Sequence, residues 1–131
     1  MGDKRDRYRI PSGVKKEALQ GRDLRAMHGY GGGAVTKRIN KKLRYQKDIG
    51  YKTAVSVDTY YRRHEKVDPP AENFDNKKNP SKGLIMWKMM GGNSGQSWSR
   101  RLKKSLDVIQ KKEKLKKIIN TVEAIQLGIL R

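Results

Sequence analysis

His64 is the residue of this chain best suited to proton chemistry, standing between Arg62-Arg63 and Glu65 in the run Tyr60-Tyr61-Arg62-Arg63-His64-Glu65. A histidine oriented by a carboxylate can act as a general base. Adjacent residues of a helix point in different directions, however, so Glu65 is poorly placed to orient His64. A hydrogen-bonded histidine at the edge of the core is the favoured reading over catalysis, and a non-enzymatic role is expected. Only one other histidine, His28, is present and there is no cysteine. Disulfides and thiolate metal sites are therefore excluded, and neither a His-rich metal site nor any cofactor is expected.

Phosphate binding is the other chemistry within reach. Lys and Arg total 32 against 13 Asp and Glu, a formal net charge of +19. Self-repulsion of that size opposes compaction unless a polyanion supplies counter-charge, and nucleic acid is the commonest one. The candidate phosphate contacts are Lys37, Arg38, Lys41, Lys42, Arg44, Lys47, Arg62 and Arg63, within a basic face spread over residues 37–47 and 62–66. Tyr45, Tyr51, Tyr60 and Tyr61 are interleaved with it, as in proteins that supplement phosphate contacts by stacking. Tyr60 and Tyr61 nevertheless read as core. Four glycines among residues 29–33 could offer backbone N–H groups to a phosphate at a helix start. Neither a Walker lysine nor a preceding strand accompanies them, so a flexible turn is favoured. Gly91, Gly92 and Gly95, flanked by tryptophans and methionines, read as sites of close helix packing.

These residues need elements to hold them. Residues 1–9 form a charged arm without periodicity, expected to be unstructured alone. A helix starts at about Ser12 as its cap, with Val14, Ala18, Leu24 and Met27 on one side and Lys15, Lys16, Arg22 and Arg25 largely on the other. It stops before Gly29. A second helix over 34–45 uses Val35, Ile39 and Leu43 as its apolar stripe, and Asp48-Ile49-Gly50 reads as a turn. Residues 53–66 fit either a strand or a helix. Helix is chosen because no other segment offers a partner strand, with Ala54, Val57, Tyr60, Tyr61 and His64 on one face. Residues 67–80, with three of the four prolines, form the longest loop.

Residues 79–98 then concentrate large apolar side chains and both tryptophans. The order is cap at Pro80-Ser81, short helix, glycine turn and second helix. That last helix runs from about Ser97 to Gln126, with Trp98, Leu102, Leu106 and Ile109 as a stripe that Leu115, Ile119, Val122 and Leu127 continue. The stretch 111–117 is too polar for a core, so this half projects as an arm or packs on another chain, with residues 118–130 as an apolar tip. No run approaches the roughly 18 apolar residues of a membrane span, and no signal peptide is visible before residue 10.

Three blocks resemble a small domain encoded by tailed bacteriophages and related prophages. They are residues 10–33, with Ile10-Pro11, Gly21, Leu24-Arg25 and the glycine turn; Tyr60-Tyr61-Arg62-Arg63-His64-Glu65 with Asp68; and Pro80-Ser81, Gly83, Ile85, Trp87, Gly91-Gly92, Gly95 and Trp98. Met90 stands where the family usually has a tryptophan, and Asn93 where it has an aspartate; if that aspartate caps a helix, Asn93 can do the same. The resemblance spans roughly residues 10–102. It implies a phage origin and a compact helical domain, and names no reaction.

The expected fold is all-α: a small bundle of three or four short helices around Leu24, Tyr60, Tyr61, Ile85, Trp87 and Trp98. Residues 1–9 form a basic arm, 10–105 the domain and 106–131 a C-terminal helical extension. The expected function is non-specific nucleic-acid binding through phosphates, DNA before RNA, in the host cytoplasm or the virion. The alternative is a virion structural component, docking on DNA, on other phage proteins or on itself through residues 106–131.

Overall fold

A computed structural model describes residues 4–67, 78 and 80–128, with the side chains of 65–67 left aside. The expected loop over 67–80, the roles of Glu65 and Lys66, and the tip beyond residue 128 lie largely or wholly outside this set. The fold is mostly helical: β1 Tyr8–Arg9, α1 Ser12–His28, α2 Ala34–Tyr45, β2 Asp48–Ile49, α3 Tyr51–Val67, α4 Lys82–Met89 and α5 Gly92–Gln126.

Helix α1 begins after Pro11, whose extended backbone occupies the cap position and whose carbonyl accepts from the N–H groups of Val14 and Lys15. Ser12 is thus inside the helix rather than its cap. The helix ends at Gly29, left-handed at φ 75°, whose N–H returns to the Arg25 carbonyl at 2.8 Å. Val14, Ala18, Gly21 and Leu24 are buried, but Met27 is 75% exposed. Three successive steps of three residues, each short of a full turn, rotate Met27 out of the stripe.

Helix α2 has the expected bounds and buries Ile39 and Leu43. Val35 is 56% exposed, because Thr36 and Asn40 fill the inward face in its place. The turn expected at 48–50 is instead a strand: Ile49 pairs with Tyr8 and Asp48 with Arg9, antiparallel. Arg7 clamps the Asp48 carboxylate at 2.7 and 2.9 Å, so the end of the N-terminal arm is structured. Residues 51–67 form helix α3, as expected, although the chain does contain strands, which pair with each other.

In the tryptophan-rich segment Ser81 Oγ caps α4 by accepting from the Leu84 N–H at 3.0 Å. Gly91 and Gly92, at φ 118° and 61°, turn the chain directly into α5, five residues before the expected start. No side chain of its own caps α5. Glu17 of α1 does so from outside, accepting from the N–H groups of Ser94 at 2.8 Å and Asn93 at 3.3 Å and pairing with the buried Lys88 at 3.3 Å. A carboxylate at a helix N-terminus is favoured by the exposed N–H groups there. Burial pushes the Glu17 carboxyl upward, but the Ser94 hydrogen bonds and the Lys88 ammonium outweigh it and hold it below its usual 4.5. Asn93 does not cap the helix as expected; its Oδ1 accepts from the Trp87 indole N–H at 3.0 Å.

Helix α1 packs most extensively on α4, and α3 on α5. Gly21 makes the first approach possible, since a Cβ there would overlap the backbone of Lys88 and Met89. At the second, Gly95 lies under the Tyr61 hydroxyl, which donates to the Gly92 carbonyl at 2.9 Å. Burial raises the Tyr61 pKa well above 10. Leu24, Tyr60, Tyr61, Ile85, Trp87 and Trp98 are all buried, as expected. Beyond Ile109, α5 leaves the body and is exposed on nearly every residue.

Candidate nucleic-acid interface

The short glycine turn between α1 and α2 makes the two helices neighbours, and their polar edges meet in a groove of about 310 Å³. Arg22 and Arg25 of α1 and Lys37, Lys41 and Arg44 of α2 line it, over a floor that includes Asn40 and Met89. No carboxylate lines it. Residues 37, 41 and 44 follow at steps of four and three, one edge of a helix.

Asn40 organises the floor. It is 1% exposed, and its Nδ2 donates to the carbonyls of Ala18 on α1 at 2.9 Å and Met89 on α4 at 2.8 Å. Its remaining acceptor, Oδ1, takes the Arg44 Nε hydrogen at 2.8 Å. One buried amide therefore ties three helices together and aims a guanidinium along the groove. Arg25 is held by its Nε–H to the Gly31 carbonyl at 2.9 Å. Both arginines keep terminal nitrogens for a ligand, the fork geometry that suits phosphate. The Arg44 guanidinium also lies 4.9 Å from the centre of the Tyr45 ring, and that ring is 72% exposed, a flat apolar surface beside the cations. Arg22 meets Asp23 at 3.2 Å, an exposed pair of little energetic weight.

The other expected contacts are dispersed. Lys42 points to the opposite edge of α2, into a second basic groove with Lys4, Arg7, Lys52 and Tyr51. That groove is partly neutralised, because Arg7 is paired with Asp48 and Lys4 with Glu113. Arg38 and Lys47 are exposed but line neither groove. Arg62 is bound to Asp58 at 2.8 Å and Asp107 at 3.3 Å, and Asp58 also accepts from the Ser99 hydroxyl. Two carboxylates already meet its charge, so it serves the contact between α3 and α5. Arg63 lies on an apolar cavity of about 320 Å³ formed with Val35, Ile39, Met86 and Met90. His64 shares that cavity. Its Nδ1–H donates to the Tyr60 carbonyl at 2.8 Å and its ring lies 4.1 Å from that of Tyr60, the geometry of a core-edge histidine.

Tyr60 and Tyr61 are buried against Trp87 and are not stacking surfaces. Within the glycine turn Gly31, at φ 96°, lies against Ile85, where a Cβ would overlap that side chain, and Gly32 faces Met89, whereas Gly29 and Gly33 face open space. Arg22 and Arg25 were missed as site residues. Their signal was the length of the glycine turn, too short to separate the polar edge of α1 from that of α2.

Among the described residues no cluster of His, Asp or Glu is placed to hold a metal, and no helix is long and apolar enough to cross a membrane. Comparison with protein-family models, with curated proteins and with solved structures found no match.

Proposed function

We propose that the protein binds nucleic acid with little sequence preference, DNA before RNA, by gripping backbone phosphates along the groove between α1 and α2. The observation that carries this reading is the convergence of five cations, with no lining carboxylate, on one groove of a chain charged +19. Phosphate contacts position a protein on a duplex without reading sequence. Tyr45 adds a stacking surface for an unpaired base. The role is binding rather than catalysis, with no cofactor. The resemblance of residues 10–102 to a tailed-phage domain supports a viral setting, in the host cytoplasm or the particle.

Fluorescence anisotropy with labelled duplex DNA over a range of salt concentrations tests it. Each phosphate neutralised contributes about −0.9 to the slope of log K against log salt, so a filled groove gives a slope of about −4.5. Duplex binding that is undetectable even at low salt, or that is insensitive to salt, would remove the proposal. A second reading, a virion component whose charge faces packaged DNA, is favoured by the exposed apolar residues of distal α5, which a free DNA binder does not require. Mass spectrometry of purified particles separates the two settings: stoichiometric presence supports the virion reading and absence sinks it.

A further inference from the structure

The distal half of α5 carries a surface that phosphate binding leaves unused. Leu115, Ile118, Val122 and Ile125 recur at steps of three, four and three, the spacing of positions a, d, a and d in a coiled coil. Ile119 widens the row. These five side chains are between 46% and 59% exposed. The row does not continue the body-facing stripe of Trp98, Leu102, Leu106 and Ile109, as the sequence suggested. At 3.6 residues per turn it lies about 160° around the helix from that stripe. The body cannot reach it, and a heptad row is the complement of another helix.

We propose that this row is covered by the same helix of a second copy, running antiparallel about a dyad at Asn120. Leu115 then packs on the partner's Ile125, and Ile118 on the partner's Val122. By symmetry each layer occurs twice, giving four a-to-d layers. The charge distribution selects the second copy and its direction. Residues 110–117 hold five lysines and one glutamate, whereas 118–128 hold Glu123 as their only charge. Antiparallel pairing lays Lys114, Lys116 and Lys117 on the partner's residues 123–126, which hold no lysine and set Glu123 level with Lys117. Parallel pairing would lay lysine on lysine and set Lys111 against the partner's Lys111 at a d position within the seam. Direction also separates the two basic bodies. From Ile109 to the partner's Ile109 the axial distance is about 33 Å, roughly four Debye lengths at physiological salt, so their repulsion is screened.

Sedimentation velocity of the full chain at physiological salt is the first test. A species of twice 15.1 kDa is expected, reverting to 15.1 kDa in the variant I118E/V122E. Both positions are exposed in the single chain, so helical circular dichroism of the folded body should be retained. The absence of native cysteine allows the direction to be read by oxidation. L115C alone and I125C alone should stay uncrosslinked, and their mixture should form a disulfide-linked pair. A monomer throughout the accessible concentration range, a dimer indifferent to I118E/V122E, or crosslinking of L115C to itself would each overturn the proposal.

Discussion

Asn40 and Glu17 show how single polar side chains set the geometry of the interface from inside. Replacing Asn40 with Leu strands the Met89 carbonyl at the end of α4, removes a second hydrogen bond from the Ala18 carbonyl, which keeps its helical one, and releases Arg44. An unsatisfied buried acceptor costs about 1–3 kcal/mol, so a loss of that size is expected, measurable by urea unfolding. Glu17 predicts a pH dependence. Its folded pKa lies below its ordinary 4.5, so its contribution is fully present above pH 4.5 and is lost as pH falls through the lower folded value. The variant E17Q should flatten the acid limb of a plot of stability against pH, and an unchanged limb would show that the carboxylate is not the cap of α5. At this scale the sequence was least informative. Asn40 lies in a run of lysines and arginines with nothing to mark it as buried, and Glu17 acts on an element 75 residues away in the chain. Arg62 resembled its basic neighbours because its two carboxylate partners are brought to it by the turn of its own helix and by α5.

The helices were legible because their ends carry chemical stops. Gly29 closes α1, Ser81 opens α4 and the Gly91-Gly92 pair separates α4 from α5, each through a backbone or capping requirement that residue type reveals. The two strands were hidden, since two residues are too few to show an alternation. Stripe membership failed at Met27, Val35 and the distal row of α5, where spacing close to a turn concealed a steady rotation around the helix. Gly21 entered the sequence reading only through the family resemblance, with no packing role attached. It is the contact point of α1 with α4, and G21A should force the two backbones apart at a cost of about 2–3 kcal/mol. Thermal unfolding checks this: a variant as stable as the parent, or more stable through the helix propensity of alanine, would contradict the packing.

At the scale of the molecule, a small core formed by the five helices of the described residues holds a groove of five cations on one side and sends a helix out on another. The net charge of +19 was readable at once from composition, but not its concentration. Which lysines and arginines share a groove depends on the pairing of α1 with α2, and only three of the eight expected contacts, Lys37, Lys41 and Arg44, meet there. The proposed interface therefore depends on the concentration of charge rather than on its total. It is tested most directly by comparing two variants of equal net charge for duplex DNA binding across salt concentration, K37Q/K41Q/R44Q in the groove and K114Q/K116Q/K117Q on distal α5. The groove variant should lose about 2.7 of the log–log slope, three phosphate contacts, and fall well below the other in affinity at every salt concentration. Equal losses from both variants would show that the charge acts as a diffuse total and that the groove is not the interface.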